Sequence, residues 1–484
     1  MLSPALSATA WSAVDILLRQ GVQFGITVVL ARLLSPEAFG TIALLYLVAG
    51  LAAAFAEGGL SSALIQRQDT TGTDESTVFW LNIGVGVVVA ALFFLAGPAI
   101  AGLYGVPVLE PLAGVMAMTV LAGAAGAVPR ALFTKAMNFR PLVIVSLGSA
   151  VLSGGFAIWL AWNGWGVWAL AGQAFVAAVA TTTLTWLISP WRPALVFSTD
   201  SARRLFGFGG YLLASAILET TYTRLYTLLI GTFYGVVALG YYGRAETTAH
   251  MPASVINGIV ARVAFPYFSR LATNDLGRLA TSFRSALQGS MLIHAPAMLG
   301  LAAVAEPLVL VLFGEKWLYS VPFLRVLCLA SLLMPLHVLN LQALMALGRA
   351  DLFFRLEVIK KAIGIAILIT ASPLGPLGIA WGMVIAGAAS YFVNAFYLSQ
   401  LLGYGALHQL RDVVPIALTA FGMSMGVAWI CLEAGDWPPS VLLAAASFCG
   451  AAAYTSFVVI FDVGGAARIA KFLWNKSTPP WRVT

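Results

Sequence analysis

Charge is what this chain lacks most. Of its 484 residues only 9% are Asp, Glu, Lys or Arg, against 60% hydrophobic residues, whereas a soluble domain carries about 25% charged residues. Too little polar surface remains to coat a water-facing globule, and the mean hydropathy of +0.92 says the same. Cysteine is scarce as well. Cys328, Cys431 and Cys449 stand singly in apolar stretches, which excludes a disulfide framework and a CxxC metal site. No lysine follows a glycine, so a Walker A phosphate loop is excluded, and no DxD or HExxH spacing occurs. The four histidines, His250, His294, His337 and His408, are scattered at spacings that do not suit a metal. No Lys or Arg precedes Arg19, so the basic start of a cleaved signal peptide is missing. The first apolar stretch is therefore expected to be a retained helix.

What is present is a series of apolar runs, and a spanning helix needs about 20 such residues. Cuts fall at turn-rich segments such as Ser35-Pro36, Gly105-Val106-Pro107, Asn163-Gly164, Ser372-Pro373 and Asp436-Trp437-Pro438-Pro439. They predict fourteen spans at about 9–33, 38–57, 77–103, 110–129, 141–162, 166–189, 208–233, 237–262, 285–313, 321–346, 356–372, 377–402, 413–432 and 440–461. The expected fold is all-α: a polytopic membrane protein with both termini on one side.

The 26 Lys and Arg residues test that register. One alternate set of loops takes Arg67; Arg130, Lys135 and Arg140; Arg192, Arg203 and Arg204; Arg262, Arg270, Arg278 and Arg284; Arg349, Arg355, Lys360 and Lys361; and Arg411. The tail adds Arg468, Lys471, Lys476 and Arg482, and the opposite loops hold only Lys316. Arg19, Arg32, Arg224, Arg244 and Arg325 fall within spans. So one-sided a distribution is the positive-inside signature, with both termini expected in the cytoplasm. It also explains the net charge of +7 without any nucleic-acid partner.

A weak internal repeat runs through the chain. At an offset of 200, Ala38, Gly40 and Gly58 meet Ala238, Gly240 and Gly258; at 215, Ala131, Leu132, Phe139 and Arg140 meet Ala346, Leu347, Phe354 and Arg355. An offset of six spans makes these parallel repeats. The expected organisation is an N-terminal lobe at 1–190, a cytoplasmic connector at 191–207, a second six-helix lobe at 208–402, and a terminal helix pair with its tail at 403–484. Within the second lobe, Ser269–Arg284 has the spacing of an amphipathic surface helix on the inner leaflet.

Charges inside spans are costly unless paired or hydrated, so each is a candidate for function. Asp15 and Arg19 share a helix face at i and i+4, as a self-neutralising pair or as lumen groups. Arg32 stands at the outer rim, where it can snorkel or pair with Glu37. The seventh span carries Glu219 and Arg224 among Thr220, Thr221, Tyr222, Thr223 and Tyr226, which is too polar for lipid contact. The eighth carries Arg244, Glu246 and His250; Glu246 and His250 lie at i and i+4, as a structural pair or a proton-exchanging one. Arg19, Arg32, Arg224 and Arg244 suit an anionic cargo, since guanidinium holds phosphate bidentately and stays charged. Asp15, Glu219, Glu246 and His250 are candidates for proton or sodium coupling. No cofactor and no metal is expected, and outer loops of at most about 20 residues leave no catalytic domain outside the membrane. The chain reads as a transporter and not an enzyme.

Several segments then resemble one family. They are Leu30-Ala31-Arg32-Leu33-Leu34-Ser35-Pro36-Glu37-Ala38-Phe39-Gly40; Gly59-Leu60-Ser61-Ser62-Ala63-Leu64-Ile65-Gln66-Arg67; Arg130-Ala131-Leu132 with Phe139; Leu239-Gly240-Tyr241-Tyr242 with Arg244-Ala245; Arg262 with Phe265-Pro266; and Phe313-Gly314-Glu315-Lys316-Trp317. In this order they resemble the bacterial polysaccharide flippases of the multidrug/oligosaccharidyl-lipid/polysaccharide exporter superfamily, and the last two are similar to the colanic acid exporter branch. The resemblance weakens after about residue 410. It implies fourteen helices in two six-helix lobes plus a terminal pair, in the bacterial inner membrane. It implies transfer of an undecaprenyl-pyrophosphate-linked oligosaccharide from the inner to the outer leaflet, alongside a polysaccharide polymerase and chain-length or export machinery. Its motif positions carry over to Arg32, Arg244 and Arg262; Asp15, Arg19, Glu219, Glu246 and His250 match no motif. Two other readings stay open, a multidrug exporter of the same superfamily and a polysaccharide polymerase.

Overall fold

The computed structural model describes residues 20–57, 60–66, 69–272 and 275–465; Asp15, Arg19, Arg67 and the tail residues Arg468, Lys471, Lys476 and Arg482 lie outside them. Among the described residues there are helices, three short 3-10 turns and no strand, as expected of an all-α chain. In order they are α1 (20–33), α2 (Pro36–Glu57), α3 (Leu60–Gln66), α4 (Gly72–Tyr104), α5 (Leu109–Lys135), α6 (Phe139–Trp162), α7 (Val167–Ile188) and α8 (Thr199–Ala272). Then follow α9 (Leu276–Ala303), α10 (Ala305–Leu312), α11 (Val321–Ser331), α12 (Met334–Ala346), α13 (Ala350–Ala371), α14 (Gly375–Leu402), α15 (Ala406–Glu433) and α16 (Pro439–Ile460). Ten helical segments of the described chain are long and apolar enough to cross a membrane. Two of them, Ile217–Ala272 with 56 residues and Asp351–Leu402 with 52, are more than twice the length of one crossing. Their outward faces are apolar, for example Val88, Leu92, Phe94 and Leu95 on α4 and Leu418, Phe421, Met425 and Trp429 on α15. Such faces belong against lipid.

Two sequence expectations are corrected here. Ser269–Arg284 is not a separate surface helix: α8 runs to Ala272, and α9 starts at Leu276 under its N-cap Asp275, whose carboxylate accepts from the Arg278 N–H at 2.9 Å. A capping aspartate splits the segment between two helices that continue into the membrane. Lys360 and Lys361 are not loop residues either, because α13 begins at Ala350 and carries them three turns in.

The chain forms two compact units, Met1–Gly243 and Arg244–Thr484, with the division falling inside α8. In the first unit, α4 starts with a capping box: the Asp74 N–H donates to Thr71 Oγ1 and the Thr71 N–H donates back to Asp74 Oδ2 at 2.9 Å. The connector segment 189–198 is strapped along this helix start. The N–H groups of Ala194 and Ser198 donate to the hydroxyls of Ser76 and Thr77, Trp80 Nε1 donates to the Ala194 carbonyl, and Arg204 pairs with the buried Asp74 at 2.5 Å. Phe79, Trp186 and Trp191 pack edge-on above it. Inside α8, Gly235 takes φ 83° and ψ 171°, a conformation favouring glycine, and divides the helix into arms 199–234 and 236–272.

In the second unit α9 is the central post, with Leu279, Phe283, Leu287, Met291 and Ala295 fully buried. Helix α15 lies along it. Three ties fix α15 in place. Asn340 of α12 and Gln409 of α15 exchange amide hydrogen bonds at 3.0 and 2.9 Å, both fully buried. Arg284 of α9 pairs with Asp412 at 2.5 Å, and the Tyr404 hydroxyl donates to the same carboxylate. Burial and that carboxylate push the Tyr404 phenol well above its usual range. Replacing Gln409 by leucine leaves the Asn340 amide without its partner, at a cost of about 1–3 kcal/mol. A lowered melting temperature in detergent is expected, partly restored when Asn340→Leu is added; an unchanged melt would deny the pair its role.

Three prolines, two inside helices and one at the start of α12, are answered in the same way. A proline lacks the N–H that would bond the carbonyl four residues earlier. Pro129 frees the Ala125 carbonyl, Pro296 that of Leu292, and Pro335 that of Ser331. In each case a donor from another helix takes the place: Trp186 Nε1 to Ala125 at 3.0 Å, the Tyr454 hydroxyl to Leu292 at 3.0 Å, and His294 Nε2 to Ser331 at 2.8 Å. In a bilayer no water would do so. The Pro335 break separates α11 from α12, so the expected tenth span is a discontinuous helix.

Candidate functional site

The segments that flank the predicted outer turns come together in two places. The first lies in the first unit, where α2 and the second arm of α8 cross. Pro36 opens α2 with a fixed φ, Ser35 Oγ accepts from the Ala38 N–H, and the Gly235 break opens the α8 arm. At the crossing, a methyl added to Gly40 would strike the Val236 carbonyl and lie 3.0 Å from the Gly240 nitrogen. A methyl added to Gly240 would strike the Pro36 carbonyl and lie 3.3 Å from the Gly40 nitrogen. Pro36 and Val236 are separated by the same 200 residues as Gly40 and Gly240, so these are one contact seen from its two sides. The repeat offset of the sequence thus reappears as a local two-fold relation between backbones.

The second place lies in the other unit. Gly314, at φ 91°, turns the chain from α10 into a 3-10 helix over Glu315–Ser320, and Phe313 and Trp317 are buried on one side of it. Arg244, only 4% exposed, is held between their rings. Its guanidinium carbon is 5.2 Å from the Phe313 centroid and 5.3 Å from that of Trp317. A desolvated cation over two aromatic faces gains about 2 kcal/mol or more. The Thr248 hydroxyl donates to the Arg244 carbonyl one turn on. Two segments 69 residues apart or more in sequence, each part of the family resemblance, therefore form one cage.

The other candidates are more open. On the first arm of α8, Glu219 is exposed and Arg224 half-buried. The Thr223 hydroxyl is used internally, donating to the Glu219 and Thr220 carbonyls, and Tyr222 and Tyr226 meet edge to face at 6.3 Å. Across from them Gly50 of α2 leaves room for Arg224, whose Nε would be 3.8 Å from a methyl there. On the second arm, Glu246 is half-buried and His250 exposed; Arg32 is exposed at the end of α1. Arg32, Glu219 and Arg224 lie in the first unit, and Arg244, Glu246 and His250 in the second. Sequence reasoning passed over Glu357, Lys360 and Lys361 in α13 as site residues. The signal was available, because all three fall inside the apolar stretch drawn as a span.

Among the described residues no group of three or more His, Cys, Asp and Glu could hold a metal ion. Gly422-Met423-Ser424-Met425-Gly426 has the spacing of a hydrolase elbow, but it lies mid-helix in α15, with the Ser424 hydroxyl donating to the Phe421 carbonyl. An elbow needs a strand-to-helix turn.

The profile of the family described as "Polysaccharide biosynthesis protein" matches residues 29–322. The chain is 30% identical over 396 residues to the lipopolysaccharide biosynthesis protein WzxC of Escherichia coli (strain K12), covering 80% of each chain. It is 30% identical over 321 residues to the succinoglycan biosynthesis transport protein ExoT of Rhizobium meliloti (strain 1021), covering 66% of this chain and 65% of that one. Among solved structures, the lipid II flippase MurJ in an inward closed conformation superposes with a TM-score of 0.72 at 16% identity, over 94% of this chain and 97% of that one. At that identity the likeness is one of fold.

Proposed function

Since the chain belongs to the polysaccharide biosynthesis protein family, we propose that it flips lipid-linked oligosaccharide units across the membrane for polysaccharide assembly. It is a multi-pass membrane transporter and not a catalyst. The cargo is an undecaprenyl-pyrophosphate-linked repeat unit, taken from the inner leaflet of the bacterial inner membrane, with both termini of the chain cytoplasmic. Two lobes alternate in exposing the cargo: the head crosses while the isoprenoid tail stays in lipid. Arg19, Arg32, Arg224 and Arg244 supply the positive charge that an anionic head requires, and Asp15, Glu219, Glu246 and His250 supply titratable groups for proton or sodium coupling. A polymerase and chain-length machinery receive the product outside.

The observation that carries this reading is the half-buried Arg224 within the polar stretch Glu219–Tyr226, inside a helix long enough to span. Arg224→Ala should abolish surface polysaccharide in a complementation assay, with membrane levels of the protein unchanged and lipid-linked units accumulating on the inner face. Full export by this variant would remove the arginine from the cargo's path. Unchanged lipid-linked sugar in a deletion strain, together with raised drug sensitivity, would turn the reading toward a drug exporter.

A further inference from the structure

Partway along α13 lies a charged group that none of the roles above uses. One carboxylate there serves two ammonium groups: Lys360 Nζ is 2.5 Å from Glu357 Oε1, and Lys361 Nζ is 3.7 Å from Glu357 Oε2. The order Glu then Lys at i+3 and i+4 lets both lysines reach it. Lys360 is ten residues beyond Ala350, about 15 Å along the helix axis, against a hydrocarbon core of about 30 Å.

The group does not face lipid. Phe354, Val358, Ile359 and Ile365 form the exposed side of α13, whereas Lys360 continues the buried stripe of Leu352, Leu356 and Leu368. Both lysine side chains are 13% exposed and Glu357 is 23% exposed, so the carboxylate is the more accessible member. On the two helices packed against α13, His337 of α12 and Asn394 of α14 meet, with Asn394 Nδ2 donating to His337 Nδ1 at 3.1 Å. Asn394 is fully buried, and among the described residues its Oδ1 has no hydrogen-bond partner.

Ionisable residues at such depth are costly and mark sites of use. A lysine is a point charge on a flexible stem, able to exchange one counter-ion for another. We propose that Lys360 and Lys361 bind the anionic diphosphate head of the cargo, and that Glu357 is the resting counter-ion which the head displaces. Two neighbouring ammonium groups suit a ligand with two negative phosphates, so the ligand class is a lipid-linked diphosphate. This rests on the reading of the cargo as a lipid-linked anion.

The test is binding of farnesyl diphosphate, a diphosphate head on a short prenyl chain, to the full protein in phosphatidylcholine nanodiscs. Lys360→Gln should weaken binding about tenfold, while Glu357→Gln, by removing the competitor, should tighten it about tenfold. If Lys360→Gln does not fold, the direction of Glu357→Gln decides. Wild-type binding with Glu357→Gln unchanged or weaker would overturn the site and leave the cargo reading standing. No binding by wild type would overturn both.

Discussion

Replacing Gly40 by valine is expected to abolish polysaccharide export, and Gly240→Val to do the same. The α2–α8 crossing leaves no space for a side chain, because the atoms a Cβ would meet are the Val236 and Pro36 carbonyls. Backbone cannot turn aside as a side-chain tip can, so the helices must separate. Overpacking costs about 1–3 kcal/mol even where side chains can shift, and the upper end is expected here. The two-fold relation makes a sharper forecast. Once either substitution has forced the helices apart, the other meets an already open crossing, so the double variant should be little worse than either single one. Export measured by complementation and melting temperature in detergent check this. Additive losses would mean that the two glycines do not report one contact.

Trp317→Ala carries the second large effect. Trp317 is fully buried, and it covers one side of a guanidinium that has almost no access to solvent. Truncating a buried tryptophan costs about 3–5 kcal/mol, and the loss of one cation–aromatic face adds to it. Most of the protein should fail to survive extraction at ordinary temperature. Trp317→Phe keeps an aromatic face and should retain much of the stability. Arg244→Leu separates the two roles of the arginine: it fills the cage with an apolar side chain, so the protein should remain stable while export falls. Stable, exporting Trp317→Ala would show the cage to be dispensable.

The sequence shows the membrane character and all-α class clearly, because apolar runs and the sidedness of Lys and Arg are properties of composition along the chain. The repeat was visible as a few matched positions, Gly40 and Gly240 among them; that these two touch is a matter of tertiary packing. The Arg244 cage was half legible. Both of its segments belong to the family resemblance, but nothing in their spacing says that a tryptophan would cover that arginine. Ser269–Arg284 misled because the ends of two long helices share the periodicity of one short one. Lys360 and Lys361 were misplaced because they were counted as loop charges although the span at 356–372 contains them, and a half-buried ion pair lets such charges stand within a helix. The division into lobes at 1–190, 208–402 and 403–484 remains a proposal beside the compact units found here.

The proline rule bears on how the chain is made. The Ser331 carbonyl finds its donor already in place, since His294 is synthesised 37 residues earlier. The Ala125 carbonyl waits 61 residues for Trp186, and the Leu292 carbonyl waits 162 residues for Tyr454, in α16. Until α16 has left the ribosome, α9 carries a carbonyl with no partner where water is scarce. The final helix therefore closes a position opened at the centre of the second unit. A chain stopped before residue 439 should be recognised as unfinished and degraded, though every earlier helix has been inserted.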